Sequence, residues 1–257
     1  MENKIYLWEN PPYINDTSDA FRPSVTEYKV NDNKTAVIVC PGGGYGCKAD
    51  HEKGVIAQMF NENGINAFTL DYNVNKCHKF APLSDVQRAI RVARSMGYEK
   101  VATLGFSAGG HLCCTSGTLY NFEAYPKSDE IDEYSARPDA FMPCYPVVTF
   151  KDEFTHMGSR QNLLGDEMND PSLIQLLSNE DNITEDTPPC FVWHTATDDC
   201  VPVENSIMLI SSLAKKKVYF EAHIYPVGCH GLGLAYDKND VGCWSKNAVI
   251  FLKNLGF

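Results

Sequence analysis

The chain has 257 residues, 44% hydrophobic and 21% charged, which is ordinary globular usage and excludes a disordered, collagen-like or coiled-coil protein. Lys and Arg total 22 against 33 Asp and Glu, a net charge of −11. That is the wrong sign for a partner that is nucleic acid or an anionic membrane.

Residues 1–35 are polar and turn-rich, with Pro11, Pro12 and Pro23, and predict an extended arm or edge strands. Their start, MENKIYLWEN, lacks the basic-then-apolar pattern of a secretory signal. No run of about 18 apolar residues follows to span a bilayer. A soluble, cytoplasmic protein is therefore expected.

Strands and helices then alternate. Thr35–Cys40 is a β-branched run and predicts a strand. His51–Asn63 has helical spacing, with Val55, Ile56, Met59 and Phe60 as its apolar set and Gly64 as its stop. Ile65–Leu70 is a second strand. Pro82–Met96 is a helix whose Val86, Ala89, Ile90 and Ala93 form one stripe, ended by Gly97. Val101–Phe106 is a strand that runs into a helix at Ala108–Leu119, and Ala140–Cys144 is a fourth strand. Residues 150–187 are polar and break the rhythm, with one helical patch at Leu173–Leu177. Cys190–His194, Val203–Lys216, Val218–Tyr225 and Cys243–Leu255 read as strand, helix, strand and helix. Repeated β–α units with nearly continuous apolar strands imply a parallel sheet covered on both faces. Such a sheet places its site in loops at the carboxyl ends of its strands. The expected organisation is one domain over residues 1–257, with a small lid-like insertion at about 150–187.

Ten cysteines are present. None has C-x-x-C or zinc-ligand spacing, and several lie in apolar strand-like runs. They are expected to be reduced and mostly buried as small hydrophobes. Cys229 stands apart, beside a candidate catalytic histidine.

Gly105-Phe106-Ser107-Ala108-Gly109 matches G-x-S-x-G between a strand and a helix. In that turn the serine takes a strained backbone conformation and stands exposed above the sheet, facing the N-terminus of the new helix. Backbone N–H groups there can hold a developing oxyanion. Ser107 is thus a candidate nucleophile. Pro41-Gly-Gly-Gly-Tyr-Gly46 follows the first strand and offers further N–H groups to the same oxyanion. A rival reading takes Gly44–Ala49 as G-x-G-x-x-A, with Asp71 as the ribose-binding acid of a dinucleotide fold. It places the helix start too late, near Asp50, and leaves the Ser107 elbow unused.

A serine nucleophile needs a base, and the base an orienting carboxylate, in the chain order Ser, acid, His. His111 lies on the elbow helix and is expected to pack there. His156 falls in the insertion and reads as a surface residue. His194 and His223 lie inside strands, from which reaching a neighbouring loop is hard. His230 lies in the glycine-rich loop PVGCHGLG just after a strand, a placement that suits a mobile base. The acid is Asp198 or Asp199, adjacent at a strand's carboxyl end; position alone does not separate them.

Taken together, PGGGY at 41–45, LDYNV at 70–74, GFSAGGHL at 105–112, CYPVV at 144–148, NLLG at 162–165, TPPCFVWHTATDDCVPVENS at 187–206 and PVGCHGLGLA at 226–235 resemble an α/β-hydrolase of the acetyl esterase/acetyl xylan esterase type. The resemblance covers most of the chain from about residue 35 onward. It implies the α/β-hydrolase fold, Ser107 as nucleophile, His230 as base, and Asp198 as the acid, from the family pattern of Asp, two residues, then Val-Pro. It implies oxyanion donors at the N–H groups of Ala108 and of Gly43 or Gly44. The implied substrate is a small-molecule ester, an acetylated sugar or oligosaccharide, with no metal or organic cofactor. Pro41, where lipase-like relatives often have His, fits the sugar-esterase branch. Asn73 stands where relatives often have Arg. Tyr45 beside the glycines is a candidate for shaping the acyl or sugar pocket, with plain packing as the alternative. An amidase or peptidase using the same three residues stays open, as does a homo-oligomer.

Overall fold

The computed structural model describes residues 3–12, 21–75, 77–238 and 240–257. Residues 1–2 and 13–20 of the expected arm lie outside these. Eight strands form one sheet: β1 (Asn3–Tyr6), β2 (Ser24–Tyr28), β3 (Thr35–Cys40), β4 (Asn66–Asp71), β5 (Lys100–Phe106), β6 (Ala140–Cys144), β7 (Cys190–Thr195) and β8 (Phe220–Tyr225). Their spatial order is β1-β2-β4-β3-β5-β6-β7-β8. The two strands of the 1–35 segment pair antiparallel at one edge, β2 against β4, and every pair from β4 to β8 is parallel.

The helices are α1 (Gly54–Glu62), α2 (Ala81–Ser95), α3 (Ser107–Thr118), α4 (Met157–Leu164), α5 (Pro171–Leu176), α6 (Glu204–Lys215) and α7 (Trp244–Asn254). β3 shows why the central strands read as unbroken apolar runs. Its side chains alternate faces: Ala36, Ile38 and Cys40 enter one core cluster with Val86 and Ile90 of α2 and Leu112 of α3. Val37 and Val39 enter another with Phe60 of α1 and Trp244 and Phe251 of α7. Both faces are covered, so both sets are apolar.

The chain leaves β3 for β4 on one side and then crosses to β5 on the other. Carboxyl-end loops diverge at such a reversal and open a crevice. The loop after β3 and the start of α3 flank it.

Residues 150–187 differ from the expected single helical patch. They hold two helices, α4 and α5, and two short 3-10 turns. α4 (MGSRQNLL) has almost no apolar stripe because it is organised by polar groups. Arg160, 3% exposed, donates Nε to Met168 O at 2.6 Å and Nη1 to Phe150 O at 2.9 Å, and pairs with Asp152.

All ten cysteines are free. Cys40, Cys113, Cys114, Cys144 and Cys190 are buried as expected, and burial pushes each thiol pKa up. Cys47, Cys200, Cys229 and Cys243 are exposed instead. They lie outside the strands, in loops and turns.

Candidate active site

Ser107 begins α3 directly at the end of β5 with φ +53°, a conformation that costs an L-residue energy and persists only where its surroundings enforce it. Two glycines enforce it. A β-carbon on Gly105 would sit 2.0 Å from Gly109 O, and one on Gly109 would sit 2.2 Å from Cys40 O. Strand and helix therefore meet backbone to backbone, and the turn between them has no room to relax.

His230 Nε2 lies 2.7 Å from Ser107 Oγ, and His230 Nδ1 lies 2.7 Å from Asp198 Oδ2. Each contact is hydrogen-bond length. The Asp198 side chain is fully buried, whereas Asp199 is exposed. Asp198 Oδ1 accepts the N–H groups of Cys200 and Val201, each at 2.9 Å. Burial opposes its charge, but hydrogen bonds from His194, His230 and these two amides win and hold its pKa well below the usual carboxylate range. The loops carrying Asp198 and His230 are tied together: Thr195 and Thr197 hydroxyls donate to Gly228 O at 3.0 and 3.1 Å. The Tyr145 ring meets the His230 ring edge-on at 5.1 Å.

The glycine loop turns on positive φ at Gly43 (+129°), Gly44 (+62°) and Tyr45 (+58°). Gly43 O accepts from the N–H groups of Gly46 and Cys47 at 3.0 and 3.1 Å. The N–H groups of Gly43 and Gly44 make no hydrogen bond among the described residues. Ala108 is in the first turn of α3, where N–H groups have no intrahelical acceptor. Tyr45 is 1% exposed, with its hydroxyl 2.8 Å from His111 Nδ1. Its side chain is packed in the core and offers nothing to an open pocket. His111 is buried as expected, its Nε2 2.8 Å from Leu177 O, and burial pushes its pKa down to about 4.

The segment 44–49 does not open a helix: a 3-10 turn over Asp50–Glu52 precedes α1, which starts at Gly54. Asp71 pairs with Lys48. Asn73 is buried, its N–H and Nδ2 both donating to Asp85 Oδ2 at 2.8 Å.

With this geometry in hand, known proteins identify the lineage. The sequence model of the BD-FAE family matches residues 24–213. The chain belongs to the BD-FAE family, among the α/β-hydrolase esterases. It is similar to endo-1,4-beta-xylanase B of Butyrivibrio fibrisolvens, 35% identical over an alignment of 252 positions that covers 93% of this chain and 39% of that one. It is 29% identical to the acetylxylan esterase of Xylanibacter ruminicola over an alignment of 236 positions that covers 88% of this chain and 45% of that one. The chain thus spans less than half the length of these curated relatives. Among solved structures, an acetyl ester-xyloside bifunctional hydrolase from Caldicellulosiruptor lactoaceticus superposes with a TM-score of 0.92 at 39% identity, over 99% of this chain and 97% of that one. No helix among the described residues is long and apolar enough to cross a membrane.

Three residues of this BD-FAE chain at the site escaped sequence reasoning. Glu52, 2% exposed, accepts Gly42 N–H at 2.7 Å and the Tyr145 hydroxyl at 2.5 Å, and that hydroxyl accepts Gly233 N–H at 2.9 Å. One carboxylate so joins the glycine loop, the loop after β6 and the His230 loop. His194, set aside because it lies in a strand, sits 3.3 Å from Asp198 Oδ2. It is next to last in β7, and the chain doubles back over it. His156, read as a surface residue, caps α4 and packs beside Gly44. Glu52 and His156 carry no motif. The His194–Asp198 spacing of four residues was the one available signal.

Proposed function

We propose that this protein is a serine carboxylesterase that removes short acyl groups, acetyl above all, from acetylated sugars or xylo-oligosaccharides. The observation that carries the reading is the unbroken hydrogen-bond chain Ser107–His230–Asp198 beside three uncommitted N–H groups. Ser107 Oγ attacks the ester carbonyl while His230 Nε2 takes its proton. Asp198 holds Nδ1–H of the same ring and stabilises the imidazolium that forms. The N–H groups of Ala108 and of Gly43 or Gly44 receive the oxyanion, each worth on the order of 10²–10³ in rate. His230 then protonates the departing sugar oxygen. Water, activated by the same histidine, releases the acid from the Ser107 acyl-enzyme.

The relatives named for xylan and its acetyl esters support a carbohydrate as the alcohol half. Residues 1–257 act as one hydrolase domain, with 150–187 laid against the glycine loop through Asn162, whose Nδ2 donates to Gly44 O at 2.8 Å. Tyr45 positions that loop from below.

The test is hydrolysis of p-nitrophenyl acetate and butyrate, with release of acetate from acetylated xylo-oligosaccharides, by the wild type and by Ser107→Ala. Acetate ester turnover that exceeds butyrate turnover and drops by about 10⁴-fold or more in the variant is the expected result. Turnover that survives the substitution overturns the assignment.

A further inference from the structure

His156 is the N-cap of α4, and its ring nitrogens have unequal surroundings. Nδ1 accepts the Ser159 N–H at 3.2 Å and lies 2.8 Å from Ser159 Oγ. A backbone N–H only donates, so Nδ1 must be the bare nitrogen. The proton of the neutral ring therefore sits on Nε2. Burial, then the neighbouring His230, hold the His156 pKa below the usual histidine value, so the ring stays neutral near pH 7.

Nε2–H makes no hydrogen bond among the described residues. The ring is half-buried and lies against the glycine loop, where a β-carbon on Gly44 would sit 3.8 Å from its Cε1. A donor of fixed direction thus stands at the edge of the candidate oxyanion site. The two polar side chains that α4 brings to this loop are already committed, Asn162 to Gly44 O and the Ser159 hydroxyl to His156 Nδ1.

Resting on the function proposed above, we infer that His156 is a specificity-determining residue whose Nε2–H donates to an oxygen of the substrate's alcohol half, a hydroxyl or ring oxygen of the acetylated sugar. A sugar offers such acceptors next to the ester, whereas an aryl acetate offers none there. The contact therefore selects carbohydrate esters over simple ones.

The test compares wild type with His156→Ser on p-nitrophenyl acetate and on an acetylated xylo-oligosaccharide. Serine keeps an N-cap acceptor for Ser159 N–H but does not reach the sugar. The readout is the ratio of kcat/KM for the sugar ester to that for the aryl ester. One neutral hydrogen bond predicts that this ratio falls about tenfold, mainly through KM for the sugar ester. An unchanged ratio, whether both activities fall together or neither does, overturns the inference and leaves the esterase reading standing. A wild type that releases no acetate from the sugar overturns both the carbohydrate reading and the role of His156.

Discussion

The strand-end loops and the 150–187 segment meet at the glycine loop, yet they are built by different physics. Ser107, Asp198 and His230 each stand within five residues of the end of a parallel strand, the first two after the buried β5 and β7 and the third after the edge strand β8. Their positions follow from a sheet whose two faces are both apolar. His156 and Asn162 stand on a polar helix that an N-cap and the arginine hub at Arg160 organise. The first group is held by the strands of the core, the second by local hydrogen bonds and by Leu163 and Leu164, which seat the end of α4 in that core. Chemistry is accordingly assigned to the rigid frame and selectivity to the segment beside it.

Substitutions break this division in order of size. Asp198→Asn should lower kcat by about 10⁴-fold, because the amide no longer holds the Nδ1–H tautomer of His230. Asp199→Asn should change kcat less than about threefold, since that side chain is exposed. Steady-state kinetics on p-nitrophenyl acetate decide it, and equal losses would contradict the assignment of Asp198.

Glu52→Gln sharpens the claim that the frame acts through position. Gly42 N–H and the Tyr145 hydroxyl both donate to the carboxylate, and a glutamine has one acceptor oxygen for the two. A displaced glycine loop should cost about 10–100-fold in kcat, with KM changed less than about threefold. A rise in KM alone would argue against the hub.

Asn162→Ala tests the segment's side of the division. Loss of its bond to Gly44 O should lower kcat/KM by about three- to tenfold and leave thermal stability nearly unaltered. A loss as large as that of Asp198→Asn would erase the distinction between the two regions.

The last effect lies away from the site and falls on stability, not on turnover. Asp132 is fully buried, with Oδ1 accepting from Arg88 Nη1 and the Tyr125 hydroxyl, each at 2.7 Å. Burial works against its charge, and hydrogen bonds from Ser128, Tyr125 and Arg88 outweigh it, holding its pKa at about 2. The folded value lies below the unfolded one, near 3.9. Its stabilisation is therefore complete above about pH 4 and lost as pH falls through about 2. Asp132→Asn should destabilise the fold by about 1–3 kcal/mol at neutral pH and flatten the dependence of Tm on pH between about 4 and 2. An unchanged acid slope would contradict the pairing.

What was legible in the sequence follows the same division. The buried strands announced themselves through uninterrupted β-branched and aromatic runs, and the elbow through glycines that no other residue could replace. The choice between Asp198 and Asp199 needed the family pattern, since adjacent residues at a strand end share every local signal. α4 was missed because its sequence carries little apolar periodicity; its cap and its arginine are interactions that only the folded chain reveals. Glu52 was hidden for a related reason. A lone acid after a glycine loop reads as surface until Gly42, Tyr145 and Gly233 are seen to converge on it and its partner hydroxyl.

The most direct test of the central claim is covalent labelling with a fluorophosphonate, followed by intact mass measurement and peptide mapping. One adduct per chain, on Ser107, is expected, formed far more slowly in His230→Ala and absent in Ser107→Ala, with ester hydrolysis lost in step. An adduct on another residue, or hydrolysis that continues after Ser107 is fully labelled, would contradict the account.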